Sequence, residues 1–124
     1  MDHFENCKFQ FVKGNSQCET TIQLATQSSD SAGFDFVFID GDHSYEGVKR
    51  DFELYEPNVR SGGIIALHDI KNPETGVPAL WDDISSEYDV KEIHTQEPFD
   101  TLPHVDEERQ ERIRKYGGIG VVYL

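Results

Sequence analysis

Two short strings hold most of the side chains in this 124-residue chain that could do chemistry. One is Asp40–Gly41–Asp42–His43 and the other is His68–Asp69. Each follows a short apolar run, Phe34–Ile39 or Ile64–Leu67, and each sets a carboxylate beside an imidazole. A carboxylate-rich cluster with an imidazole suits a divalent cation such as Mg²⁺ or Mn²⁺. If the two runs are neighbouring strands, Asp40, His68 and Asp69 converge at the rim of the sheet, where open α/β sheets bind ligands. His43, three residues after Asp40, could be a general base or a ligand, because an imidazole exchanges protons near neutral pH. A plainer reading makes Asp42 a helix cap, Asp69 a turn residue and His43 a surface imidazole. The repetition of one chemistry at two strand ends favours the functional reading. Tyr45 either lines the same cleft or packs. Trp81 belongs with Leu80 and Ile84 in a core, and His3, His94 and His104 are expected at the surface.

The elements that must position these residues follow from periodicity. Lys8–Val12 alternates polar and apolar residues, as a half-buried strand does. Ser16 with Glu19 forms a capping-box pattern that should open a helix through Ala25. Phe34–Ile39 is β-branched and aromatic and reads as a buried strand. Val48, Phe52, Tyr55 and Val59 recur at helical spacing, with Asp42 or Ser44 as cap and Pro57 as terminator. Gly62–Gly63 is expected to turn the chain into the Ile64–Leu67 strand. Pro78 suits the first turn of a helix whose apolar face is Leu80, Trp81, Ile84 and Tyr88. A strand over 89–95, a loop over 96–105, a charged helix over 106–116 and a strand over 118–124 complete the chain. Acids early and bases late in the 106–116 helix suit its dipole. The basic cluster Arg109–Lys115, interleaved with glutamates, reads as a solvated helix face. Alternating strands and helices imply a mostly parallel sheet.

Composition narrows the functions available. With 11 Lys plus Arg against 24 Asp plus Glu, the formal net charge is −13. Such a balance argues against nucleic acid as a partner and against an anionic membrane surface. Two cysteines, Cys7 and Cys18, make no disulfide framework and no zinc pattern, and read as free thiols in a reducing compartment. With no signal-peptide pattern and no membrane-length apolar run, the expected location is cytoplasmic.

The string FDFVFIDGDHSYEGVKRDFELY, followed by GGIIALHDI, resembles the class I S-adenosylmethionine-dependent methyltransferases. Within them it is most similar to sugar and macrolide O-methyltransferases and cephalosporin-hydroxylase-like proteins. The resemblance runs from about Phe9 to the terminal GGIGVVYL. It implies an α/β fold: a Rossmann-like, mostly parallel sheet with helices on both faces, with the two apolar strands as the family's fourth and fifth. By position, Asp40, His68 and Asp69 would hold Mg²⁺ or a similar cation, although His68 departs from the family's acidic pair. His43 would be the base that deprotonates a hydroxyl on a small-molecule acceptor. Gly14, Asn15 and Ser16 resemble the loop near the adenine and, with Asp40 and Gly41, are the expected S-adenosylmethionine contacts. The family's Gly-rich turn has no counterpart before Lys8, so residues 1–124 are expected to form one partial domain lacking the first two strands. Phe34–Ile39 would then be an apolar edge. Either Lys8–Val12 moves beside it or two copies pair as a homo-oligomer. The implied activity is metal-assisted O-methylation. The alternatives are a truncated domain that binds no cofactor and a hydroxylase-like enzyme on the same scaffold.

Overall fold

The computed structural model describes residues 8–29, 31–94 and 106–124. In chain order the elements are α1 (Glu19–Thr26), β1 (Phe34–Ile39), α2 (Tyr45–Tyr55), a 3-10 turn (Glu56–Asn58) and β2 (Val59–His68). Then come α3 (Val77–Glu87), β3 (Asp89–Ile93), α4 (Glu107–Tyr116) and β4 (Ile119–Tyr123). The four strands form one sheet in the order β1-β2-β4-β3. β1 and β2 are parallel, while β4 runs antiparallel to both β2 and β3. The sheet is therefore mixed rather than mostly parallel in its ladders. The α3 crossover leaves a one-strand gap between β2 and β3, and β4 enters that gap from the opposite direction.

Alternation along the strands decides the core. Ile65 and Leu67 of β2 and Val122 of β4 are fully buried, and Ile39, Val48, Phe52, Leu80, Trp81 and Ile84 complete the cluster. Ile39 ends β1, while Val48 and Phe52 lie one turn apart on α2 and Leu80, Trp81 and Ile84 within about one turn on α3, and the two helices pack against each other. Gly120 lets Trp81 approach β4, because a Cβ there would sit 2.4 Å from the indole ring. The indole N–H of Trp81 donates to Glu92 at 2.7 Å, so the buried ring leaves no donor unpaired. The Tyr45 hydroxyl donates to Asp83 at 2.8 Å, tying α2 to α3, so Tyr45 packs rather than lining the cleft.

Several local expectations hold. Ser44 caps α2 by accepting from the Gly47 N–H, Pro57 lies in the 3-10 turn that ends α2, and Pro78 sits in the first turn of α3. Others do not. Lys8–Val12 joins no ladder, and Phe9 and Phe11 are 88% exposed. With no neighbouring strand to take its backbone bonds, its alternation has nothing to pack against. Ser16 caps nothing: α1 starts from Cys18 without a side-chain cap, and the Ser16 hydroxyl bonds Asp51 of α2 instead. β1 is the end strand of the sheet, with Phe36 57% and Phe38 45% exposed, so Lys8–Val12 does not cover it. His3, His104, Cys7 and the 96–105 loop lie outside the described residues, and Cys18 is an exposed free thiol. No helix among the described residues is long and apolar enough to cross a membrane.

Gly62–Gly63 is not a turn before a strand but a bulge within β2. Phe34 pairs with Val59, yet Phe36 pairs with Ile64. The offset changes from 25 to 28 residues, so three residues of β2 bulge out opposite Asp35. Gly62 has φ +80°, and a Cβ on Gly63 would lie 2.4 Å from Val59 and 3.1 Å from the Asp35 carbonyl oxygen. Gly63→Ala should cost about 1–3 kcal/mol, read as a lower urea midpoint, because neither close neighbour is a flexible side-chain tip. An unchanged midpoint would mean that the bulge is not held as described.

Candidate functional site

The register after the bulge places Ile39 opposite Leu67, so the chain leaves the sheet at Asp40 and His68 side by side. Four side chains meet there. Nε2 of His43 lies 3.2 Å from Oδ1 of Asp40 and 3.4 Å from Oδ2 of Asp69. Nδ1 of His68 lies 3.3 Å from Oδ1 of Asp40 and 3.2 Å from Oδ1 of Asp69. The His43–Asp40 contact is a hydrogen bond. Nδ1 of His68 is buried and aligned for a bond with neither carboxylate. Asp69 is the least exposed of the four side chains, at 18%. Its φ of +62°, rare for a residue with a Cβ, turns its carboxylate back over the strand ends. Phe38 packs edge-on against the His68 ring at 6.3 Å.

Asp42 does not join this corner. Its Oδ1 accepts from the Ser44 N–H at 2.8 Å and the Ser44 hydroxyl at 2.7 Å, and these bonds hold its carboxyl below the usual range. Gly47 makes room for it, since a Cβ there would come within 2.1 Å of the carboxylate carbon. Asp42 thus fixes Ser44, Ser44 caps α2, and the start of α2 holds His43 in place. The His43 carbonyl also accepts from Gly76 N–H at 2.8 Å, which anchors the loop that follows Asp69. His94 bonds Glu92 at 2.8 Å and lies against Gly118, two strands across the sheet from His68 and outside the four-residue corner.

Two cavities flank the corner. One, of about 310 Å³, lies along the open side of β1 and is lined by Ser16, Phe38, Ile39, Asp40, Gly41, Asp51 and Tyr55 among others. Three of the five expected cofactor contacts, Ser16, Asp40 and Gly41, share its wall; Gly14 and Asn15 do not. Asn15 instead accepts from the Gln17 N–H in a local turn, and Gly14 lies against Thr21. The other cavity, of about 480 Å³, opens on His68 and Asp69 and is closed on the far side by Asp106, Arg109, Arg112 and Tyr116 of α4 and its approach. The sequence reading placed Arg109 and Arg112 on a solvated helix face and gave Asp106 and Tyr116 no role, whereas all four line this cavity. Their signal was the spacing 106, 109, 112, 116, which is one stripe of a helix. The same reading passed over Asp51, which is 3% exposed with Oδ1 unpaired. Asp51 lies three residues after Val48 on the buried face of α2, and that position was the signal.

A mixed sheet whose adjacent parallel strands both end in carboxylate and imidazole, with a cavity on each side, defines an α/β protein with a candidate site at the strand ends. A family model described as a methyltransferase domain matches residues 3–70, more than half of the chain, and the chain belongs to that family. The mimivirus protein R132 of Acanthamoeba polyphaga mimivirus, described as uncharacterized, is 36% identical over 78 residues. The match takes in 55% of this chain and 35% of R132. Among solved structures, the O-methyltransferase TomG of Streptomyces achromogenes, involved in tomaymycin synthesis and determined with its S-adenosylmethionine, superposes with a TM-score of 0.50 at 17% identity. That superposition covers 85% of this chain and 46% of TomG, so the chain spans less than half the length of each of these relatives. The likeness to TomG establishes a shared fold.

Asp51 gives the site region a pH signature. Burial raises its carboxyl above the ordinary value of 3.8, partly offset by the Ser16 bond, while Asp42 adds to the rise. The folded chain therefore holds this proton more tightly than the unfolded chain, and stability falls as pH climbs from 3.8 through the raised value. Asp51→Asn should raise the Tm at pH 7, with the gain shrinking towards zero near pH 4, measured by thermal melts across pH. A gain independent of pH would rule out the buried charge as its cause.

Proposed function

We propose that this chain provides the acceptor-side catalytic corner of an S-adenosylmethionine-dependent O-methyltransferase acting on a hydroxylated small molecule. The observation that carries the reading is the convergence of Asp40, His43, His68 and Asp69 at the carboxyl ends of β1 and β2 in a chain of the methyltransferase-domain family. The donor set fits a divalent cation. One ligand atom each from Asp40, His43 and His68 lies within 4.8 Å of the others, and the buried, unaligned Nδ1 of His68 faces two carboxylates. The set expected from the sequence, Asp40, His68 and Asp69, would hold the ion through the side chains around Nδ1 of His68, with His43 close enough to join them, and the imidazole content favours Mn²⁺ over Mg²⁺. A cation there would lower the pKa of an acceptor hydroxyl and fix its position.

The chain's own residues supply the rest. His43, held by its bond to Asp40, takes the hydroxyl proton. Ser16, Asp40 and Gly41 line the cavity assigned to the methyl donor, and the cavity beyond His68 and Asp69 receives the acceptor. S-adenosylmethionine supplies a methyl group on a sulfonium; the acceptor oxygen bonds to that carbon as its C–S bond breaks. Holding the two reactants on either side of one corner is the chief contribution of the protein.

A second reading is favoured by the open end strand β1. On that reading the chain is a methyltransferase-like domain that binds no donor by itself and pairs with a second copy through β1. The exposed Phe36 and Phe38 on the end strand support the pairing.

Calorimetric titration of S-adenosylmethionine, with and without Mn²⁺, separates the two readings. Micromolar binding supports the enzyme, and no heat supports the second reading. Mn²⁺ at a hundredfold excess over its Kd should stabilise the chain by about 2.7 kcal/mol, and Asp40→Asn with Asp69→Asn should abolish that stabilisation. A parent chain whose Tm ignores Mn²⁺ and Mg²⁺ alike would remove the metal from the account. Pairing is tested by light scattering: the parent should run as a dimer, and Phe36→Lys with Phe38→Lys as a monomer. A monomeric parent would overturn the pairing.

A further inference from the structure

The cavity of about 480 Å³ beside His68 and Asp69 has a cation on its far wall that the methyl-transfer reading does not use. Resting on that reading, we propose that the acceptor carries an anionic group, a carboxylate or a phosphate, and that Arg109 binds it. Besides Asp69, the charged side chains that line the cavity are Asp106, Glu108, Arg109 and Arg112, so an anion there must be held by a guanidinium against the neighbouring carboxylates. Asp106 is occupied: its Oδ1 accepts from the Arg109 backbone N–H at 2.7 Å, as a helix-capping carboxylate does. Arg112 is occupied too, because its Nη2 lies 2.7 Å from Oε2 of Glu74 on the loop after Asp69. That ion pair, exposed on both sides, links α4 to the loop. Arg109 is one turn away on the same stripe, and its guanidinium pairs with no carboxylate among the described residues.

A guanidinium facing a cavity presents a planar fork of donors that matches two oxygens of a carboxylate or phosphate. One end of the cavity, lined by His68 and Asp69, then takes the hydroxyl, and the other takes the anion. Two anchors on opposite walls set both the orientation of the acceptor and which of its hydroxyls meets His43. The net charge of the chain, −13, makes the inference sharp. The long-range field of such a protein repels anions, so a preference for an anionic ligand must come from a local cation.

The test is equilibrium binding in EDTA, without S-adenosylmethionine, so that neither metal nor donor contributes. The probes are glucose, glucuronate and glucose 6-phosphate, followed by calorimetry and by amide shifts of α4. Glucuronate or glucose 6-phosphate should bind at least tenfold more tightly than glucose, and the stronger of the two identifies the anion as carboxylate or phosphate. Arg109→Ala should erase the difference, and Arg109→Lys should keep part of it. The anion preference should weaken as salt rises. Equal binding of all three probes, no binding of either anion at millimolar concentration, or an anion preference that survives Arg109→Ala would each overturn the proposal. Because no donor is present, these outcomes are separate from failure of the methyl-transfer reading, which the S-adenosylmethionine titration reads.

Discussion

The site depends on one pairing, the parallel register between β1 and β2. With Ile39 opposite Leu67, the two chains leave the sheet at the same height, and Asp40 meets His68 and Asp69. Had the register of Phe34 with Val59 continued, Ile39 would face Ile64, and His68 would lie about 10 Å further along, three residues at a strand rise of 3.3 Å. The bulge at Gly62–Gly63 absorbs those residues. A feature at one end of the strand pair therefore fixes which side chains meet at the other end, and two glycines far from the corner are as necessary to that meeting as the side chains themselves.

The rest of the molecule braces that register. Ile65 and Leu67 on β2 are fully buried against α2 and α3, so a one-residue slip would turn both to the opposite face. β4 pairs with β2 from Ile64 to His68, which straightens the strand up to its functional end. The start of α2 is held by the Asp42–Ser44–Gly47 set, and the loop after Asp69 by the Gly76 bond to the His43 carbonyl. The corner is thus carried on rigid elements while its two cavities stay open, the arrangement that positioning of two reactants requires.

Much of this was legible in the sequence, for identifiable reasons. Phe34–Ile39 and Ile64–Leu67 are short, apolar and followed at once by acid and imidazole, so both the strands and the meeting of those side chains at their ends could be read. The α3 face and the Ser44 cap follow from spacing and residue type. The bulge was not legible, since Gly62–Gly63 serves equally as a turn, and only the partner strand shows that three residues are extra. The reversed β4 was hidden because direction within a sheet is set by connections, not by residue pattern. Lys8–Val12 alternates as a strand should, yet alternation produces a strand only where a neighbour exists. Asp51 was obscured by its polarity, although its position between Val48 and Phe52 puts it on the buried face.

The central claim is that the strand ends bring two histidines and two aspartates to one point that takes a divalent cation. The most direct measurement is the ¹⁵N spectrum of the imidazoles during addition of substoichiometric Mn²⁺, whose paramagnetism broadens nearby nuclei. His43 and His68 should broaden together at the lowest additions, while His94, paired with Glu92, stays sharp. Broadening of His94 before them, or none at His43 and His68, would contradict the account.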